Sequence, residues 1–153
     1  MRLLALFAVS NSAVAVFGVA LWLAGLGHFC VLIASFQVPR RLGWREDLAK
    51  LTPFNRKLMW THGGFAVLTI ISFGVLTLFL HDEMLRGDKA ALALAAFVGL
   101  YWTARVVVDF TYYKHEDWPR GRGFVIGHVL LTLLFVFLAA TYLGLLVWRI
   151  ATA

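Results

Sequence analysis

The chain alternates long apolar runs with short polar stretches, four runs in all. Residues 3–36 are almost entirely apolar, longer than the roughly 20 residues that one perpendicular crossing of a bilayer needs. Asn11-Ser12 interrupts the run, so the first span is placed at 14–36. Residues 1–13 read as a helical extension, an interfacial segment or a signal peptide. The later runs predict spans at about 56–80, 90–113 and 124–148.

The polar stretches carry their own signals. Pro39 is expected to end or kink the first helix. Trp44, Leu48 and Leu51 fall at i, i+4 and i+7, opposite Arg45, Glu46 and Lys50. That spacing predicts a short amphipathic helix near 42–51, lying in the membrane interface. Thr52-Pro53 is expected to stop it, and Asn55 to cap the next helix. His81-Asp82-Glu83 and Arg86-Gly87-Asp88-Lys89 form a polar turn, and Lys114 to Gly123 a tight loop around Asp117-Trp118-Pro119. The expected fold is an all-α integral membrane protein of one domain, 1–153. It is a four-transmembrane-helix bundle with an interfacial helix between helices 1 and 2.

Composition agrees with that reading. Of 153 residues, 61% are hydrophobic and 14% charged, too apolar for a soluble domain of this size. The net charge of +6 comes from basic residues in the loops, which fits lipid headgroups and excludes a nucleic-acid partner. Loops 37–57 and 114–122 hold nine Lys and Arg residues: Arg40, Arg41, Arg45, Lys50, Arg56, Lys57, Lys114, Arg120 and Arg122. The opposite side holds four: Arg2, Arg86, Lys89 and Arg149. The positive-inside rule therefore puts both termini outside a bacterial inner membrane. Trp44, Trp60 and Trp118 form a cytoplasmic aromatic belt, with Trp22 and Trp148 toward the outer half. Expected partners are the lipid bilayer and other membrane subunits. Cys30, in an apolar run, is the only cysteine, so neither an intrachain disulfide nor a CxxC metal motif exists.

The candidate chemistry lies inside the spans. Arg105 and Asp109 stand at i and i+4, so both project from one helix face, near Tyr101. Charges at that depth face a bundle interior, a cavity or each other. At about 1.5 Å per residue, His28, His62, Arg105, Asp109 and His128 lie roughly 6–12 Å from the cytoplasmic helix ends. Glycines accompany the histidines in Gly25-Leu26-Gly27-His28, His62-Gly63-Gly64 and Gly127-His128, leaving room for a helix or a flat cofactor. Arg56 and Arg122 each precede a histidine, His62 and His128, by six residues, a faint internal repeat.

These observations predict one cavity into which His28, His62 and His128 all point, lined also by Arg105, Asp109 and Tyr101. The shared helix faces would be Gly25, His28 and Ser35; His62, Phe65 and Thr69; and His128, Thr132 and Phe135. Such a cavity suits b-type haem on two axial histidines with Arg105 on a propionate. It also suits a transition-metal ion on the three histidines, or a quinone. The expected function is electron transfer or oxidoreduction. The alternative is a non-catalytic accessory or anchor subunit, with the histidines hydrogen-bonding across helices. The layout resembles small four-helix membrane cytochromes in architecture alone and carries no residue over. His115-Glu116-Asp117 and His81-Asp82-Glu83 are weak metal candidates that read as solvated turns. Walker, GxSxG, HExxH and GxGxxG motifs are absent.

Overall fold

The structure, a computed structural model, describes residues 2–113 and 121–152, with side chains from Ser12 onward. It is all-helical, with no strand among the described residues. The elements are α1 (Arg2–Ser35), α2 (Val38–Arg41), α3 (Trp44–Ala49), α4 (Pro53–Phe79), α5 (His81–Arg86), α6 (Lys89–Thr111) and α7 (Arg122–Thr152). Four helices are long and apolar enough to cross a membrane, and they are those expected: α1, α4, α6 and α7. The backbone of residues 2–13 continues the helix of the first span.

Several local details differ from the expectation. α1 ends at Ser35, and Pro39 stands in the first turn of the separate helix α2, where its missing N–H costs nothing. The helix expected near 42–51 is α3 (Trp44–Ala49), and Gly43, at φ +63°, sets it off from the additional short helix α2. Thr52, not Asn55, caps α4: its Oγ1 accepts the Asn55 N–H at 3.4 Å, with Pro53 leading the first turn. His81-Asp82-Glu83 is no solvated turn. It opens α5, and His81 Nε2 lies 3.0 Å from the Gly18 carbonyl, tying α5 to α1. Outside the spans, Arg86 is held above its ordinary pKa by its hydrogen bond to Glu83, with Asp88 adding to the effect.

In space the long helices run in the order α4–α1–α7–α6, with α5 against α1 and α6. Leu21, Ala24, Trp102, Leu138 and Tyr142 form the core, and Met84 closes it at the α5 end. The helix surfaces away from it are apolar and exposed, as at Val16, Ile33, Phe79, Leu100 and Val147. Between helices in apolar surroundings, close backbone approach and hydrogen bonds replace the hydrophobic effect as the cohesive force. Both occur here. Gly25 and Gly74 let α1 meet α4, and a Cβ on Gly74 would lie 3.0 Å from the Phe29 ring and 3.2 Å from the Gly25 carbonyl. Thr77 and Tyr142 share a buried hydroxyl–hydroxyl hydrogen bond of 2.6 Å between α4 and α7.

The crossing at Gly74 decides how α4 sits. Its buried residues are Phe73, Gly74 and Thr77, all toward its C-terminal end. Phe73 meets Phe97 and Tyr101 of α6 edge-on. No residue from Pro53 to Ser72 is buried, so that stretch of α4, apart from Ile70 against the core, stands away from it. Gly74→Val should accordingly lower stability by about 1–3 kcal/mol, the usual cost of overpacking. Gly63→Val is the control, since nothing lies within 4 Å of a Cβ built there. Thermal unfolding in detergent checks the pair, and equal shifts would place the α1–α4 crossing elsewhere.

Candidate functional site

Asp109 is the centre of the polar chemistry. Its side chain is 2% exposed, a cost for a carboxylate unless it is paired and hydrogen-bonded. It is both. Arg105 Nη1 donates to Oδ1 at 3.1 Å, one helical turn away. Thr132 Oγ1 of α7 donates to Oδ2 at 2.6 Å. His128 Nε2, also of α7, lies 3.3 Å from the same oxygen. The carboxylate therefore binds α6 to α7 through two side chains, Thr132 and His128, while Arg105 pairs with it from its own helix.

Arg105 and His128 are themselves positioned by rings. The Arg105 guanidinium stands 4.9 Å from the Phe135 ring centroid and 5.5 Å from that of Tyr113, a stacked geometry that suits its flat cation. The His128 imidazole stacks on Phe124 at 6.2 Å. Arg105 is 33% and His128 19% exposed, against 2% for Asp109. The anion is thus hidden, and its two basic partners face outward into a common space.

That space is a cleft of about 290 Å³ between the end of α1, α2, α6 and the first turns of α7. Gln37 and Arg41 line it opposite Arg105 and His128, and Phe124 and Leu131 supply apolar wall. Gly127 keeps it open, since a Cβ there would meet nothing within 4 Å. The cleft is small, basic and rich in hydrogen-bond donors.

The structure brings together Arg105, Asp109 and His128 of the expected set and separates the rest. His28 is fully buried, but not in the cleft. It sits among Phe73, Trp102 and Tyr142, ring centroids 5.5–6.0 Å away. Nδ1–H donates to the Ala24 carbonyl at 2.7 Å, and Nε2 accepts the Trp102 indole N–H at 3.0 Å. Both ring nitrogens are thereby used. Tyr101 is half-buried and packs edge-on against Phe73 and Trp102 rather than lining the cleft. His62 is exposed, and its Nδ1 bonds the Leu58 carbonyl of its own helix at 3.0 Å. The shared cavity for three histidines is therefore corrected. The cause is the crossing at Gly74, which leaves the His62 turn outside the bundle. No group of three His, Cys, Asp or Glu side chains able to hold a metal ion exists among the described residues. His115-Glu116-Asp117 lies outside the described residues.

Three residues of the site and its support escaped notice as such, Trp102, Gln37 and Arg41, whereas Thr132 shares the expected face with His128. Trp102 carried a signal. Of six tryptophans it alone sits in mid-span, where its indole N–H must find a partner. Gln37 and Arg41 carried none, because they join the site only through the turn after α1.

Fold and site define an all-helical protein with four helices of membrane-crossing length and a buried carboxylate network behind a basic cleft. No family model, characterised protein or solved structure matches the chain.

Proposed function

We propose that this chain is an integral protein of a bacterial inner membrane, both termini outside, whose cleft binds the head of a quinone within an electron-transfer complex. The observation that carries the reading is the outward pair Arg105 and His128, each anchored from behind by Asp109. With Gln37 and Arg41 they direct donors into a cleft with apolar walls. A flat, neutral molecule with carbonyl acceptors fits that chemistry. When bound, a quinone supplies two-electron, two-proton redox chemistry. The residues of this chain hold its carbonyls and favour charge developing on them.

The other cofactors fit less well. Axial ligation of haem needs two imidazole nitrogens facing one void, and both nitrogens of His28 are hydrogen-bonded in a filled core. A metal ion at His128 would meet the guanidinium of Arg105 beside the same carboxylate, an unfavourable neighbour for a cation. The second reading, an accessory subunit, is favoured by a different observation. The first half of α4 exposes Phe54, Leu58, Met59 and Phe65, a surface as suited to another subunit as to lipid.

Titration of the purified protein with decylubiquinone, read by tryptophan fluorescence, tests the proposal. Saturable quenching is expected, with Arg41→Ala and His128→Phe each weakening it about tenfold, the worth of one charge-assisted hydrogen bond. Unsaturable quenching, or identical curves for wild type and variants, rejects the quinone site and leaves the accessory reading. A Soret band lost with His28→Ala would reinstate haem.

A further inference from the structure

A second cavity lies outside this cleft and shares no lining residue with it. It occupies about 650 Å³ between the α2–α3 turn and the start of α4. Arg40, Arg45 and Arg56 line it with Glu46, and Trp60, Leu48 and Pro39 complete the wall. Three guanidinium groups against one carboxylate leave the cavity net positive. The left-handed turn at Gly43 separates the helices that carry Arg40 and Arg45, and both arginines reach the cavity.

Arg56 is fixed rather than free to swing. Its Nη2 donates to the carbonyls of Ala49 and Leu51 at 3.3 and 3.4 Å. Its Nε is buried and has no acceptor, an unmet donor of the kind that calls for a missing partner. Trp60 is braced edge-on by Trp44 at 6.3 Å. Beside the cavity, α4 exposes Phe54, Leu58 and Met59 at the start of its apolar run. A basic hollow thus sits beside apolar helix surface.

We infer that this cavity binds the phosphate headgroup of an anionic phospholipid, with the acyl chains lying along the start of α4. Guanidinium groups match phosphate oxygens in charge and in planar, two-pronged geometry. Basic pockets at the ends of membrane helices take such headgroups. The apolar surface beside the hollow distinguishes a lipid from a soluble phosphate. The inference rests on membrane insertion and is independent of the quinone.

Native mass spectrometry of the full chain from detergent tests it, using palmitoyl-oleoyl phosphatidylglycerol and the matching phosphatidylcholine. The wild type should retain phosphatidylglycerol about tenfold better, and Arg40→Ala with Arg45→Ala should remove most of that preference. Lys50→Ala with Lys57→Ala removes equal charge outside the cavity and should leave the preference intact. Arg40→Lys with Arg45→Lys keeps the charge and should fall between, which separates loss of binding from loss of fold. Equal retention of the two lipids, equal losses in the two alanine pairs, or displacement of the lipid by millimolar inorganic phosphate each overturns the inference. Membrane insertion is read separately, by resistance of the expressed protein to alkaline carbonate extraction. Extraction by carbonate would count against insertion, not against the arginine hollow alone.

Discussion

Arg105→Ala should lower the stability of the detergent-solubilised protein by about 2–4 kcal/mol, whereas Arg105→Ala combined with Asp109→Ala should lower it by less. Removing one partner of a buried pair leaves the other charge unbalanced, which typically costs about 3–5 kcal/mol. The figure here is smaller because Arg105 is one-third exposed and water can replace part of what it supplies. Thr132 and His128 remain on the carboxylate, which also softens the loss. Removing Asp109 as well deletes the buried anion, so the double variant should regain stability over the single one. Thr132→Val should cost about 1–3 kcal/mol, since it withdraws one hydrogen bond from the other oxygen of the same carboxylate without removing a charge. Thermal or denaturant unfolding of the three variants tests the network. A double variant no more stable than Arg105→Ala would mean that the carboxylate is held chiefly by α7. If the quinone titration then stayed unchanged in Thr132→Val, stability and binding could be assigned separately.

The second large effect should appear in the core. Trp102→Ala should cost about 3–5 kcal/mol, the range for removing a large buried aromatic side chain. It stacks on Phe135 at 5.0 Å and also carries the hydrogen bond to His28. A subtler pair separates the two contributions. Trp102→Phe keeps most of the ring but strands His28 Nε2, and His28→Leu keeps volume but strands the indole N–H. Each should cost about 1–3 kcal/mol for the buried polar group left unpaired. The combined variant replaces both polar partners with apolar ones and should cost less than the sum of the two. Strict additivity would show that the bond contributes nothing beyond packing. His28→Leu should also leave quinone quenching unchanged, because His28 lies outside the cleft.

Much of the architecture is local information. Four apolar runs became four long helices because helix length and hydropathy depend on consecutive residues, and neither needs a partner. The Arg105–Asp109 pair was equally legible, since i and i+4 side chains meet on any helix. Pro39 was expected to end or kink the first helix, yet α1 already ends at Ser35 and Pro39 opens α2.

What depth arithmetic lacks is direction around the helix axis. Of His28, His62 and His128, one lies in the aromatic core, one on the outer surface and one beside Asp109, and His28 meets Tyr142, far along α7 from His128. Their faces were settled by where the helices touch. That contact is made by Gly25 and Gly74 between α1 and α4, and by Trp102 reaching His28 across 74 positions of sequence. Every outward face here is as apolar as the inward ones, so hydropathy does not distinguish them. In such a bundle shape complementarity and interhelical hydrogen bonds choose the faces. The sequence alone determined four helices and one ion pair. Tertiary packing decided which polar residues share a site, because only contact between distant helices makes one face the inside.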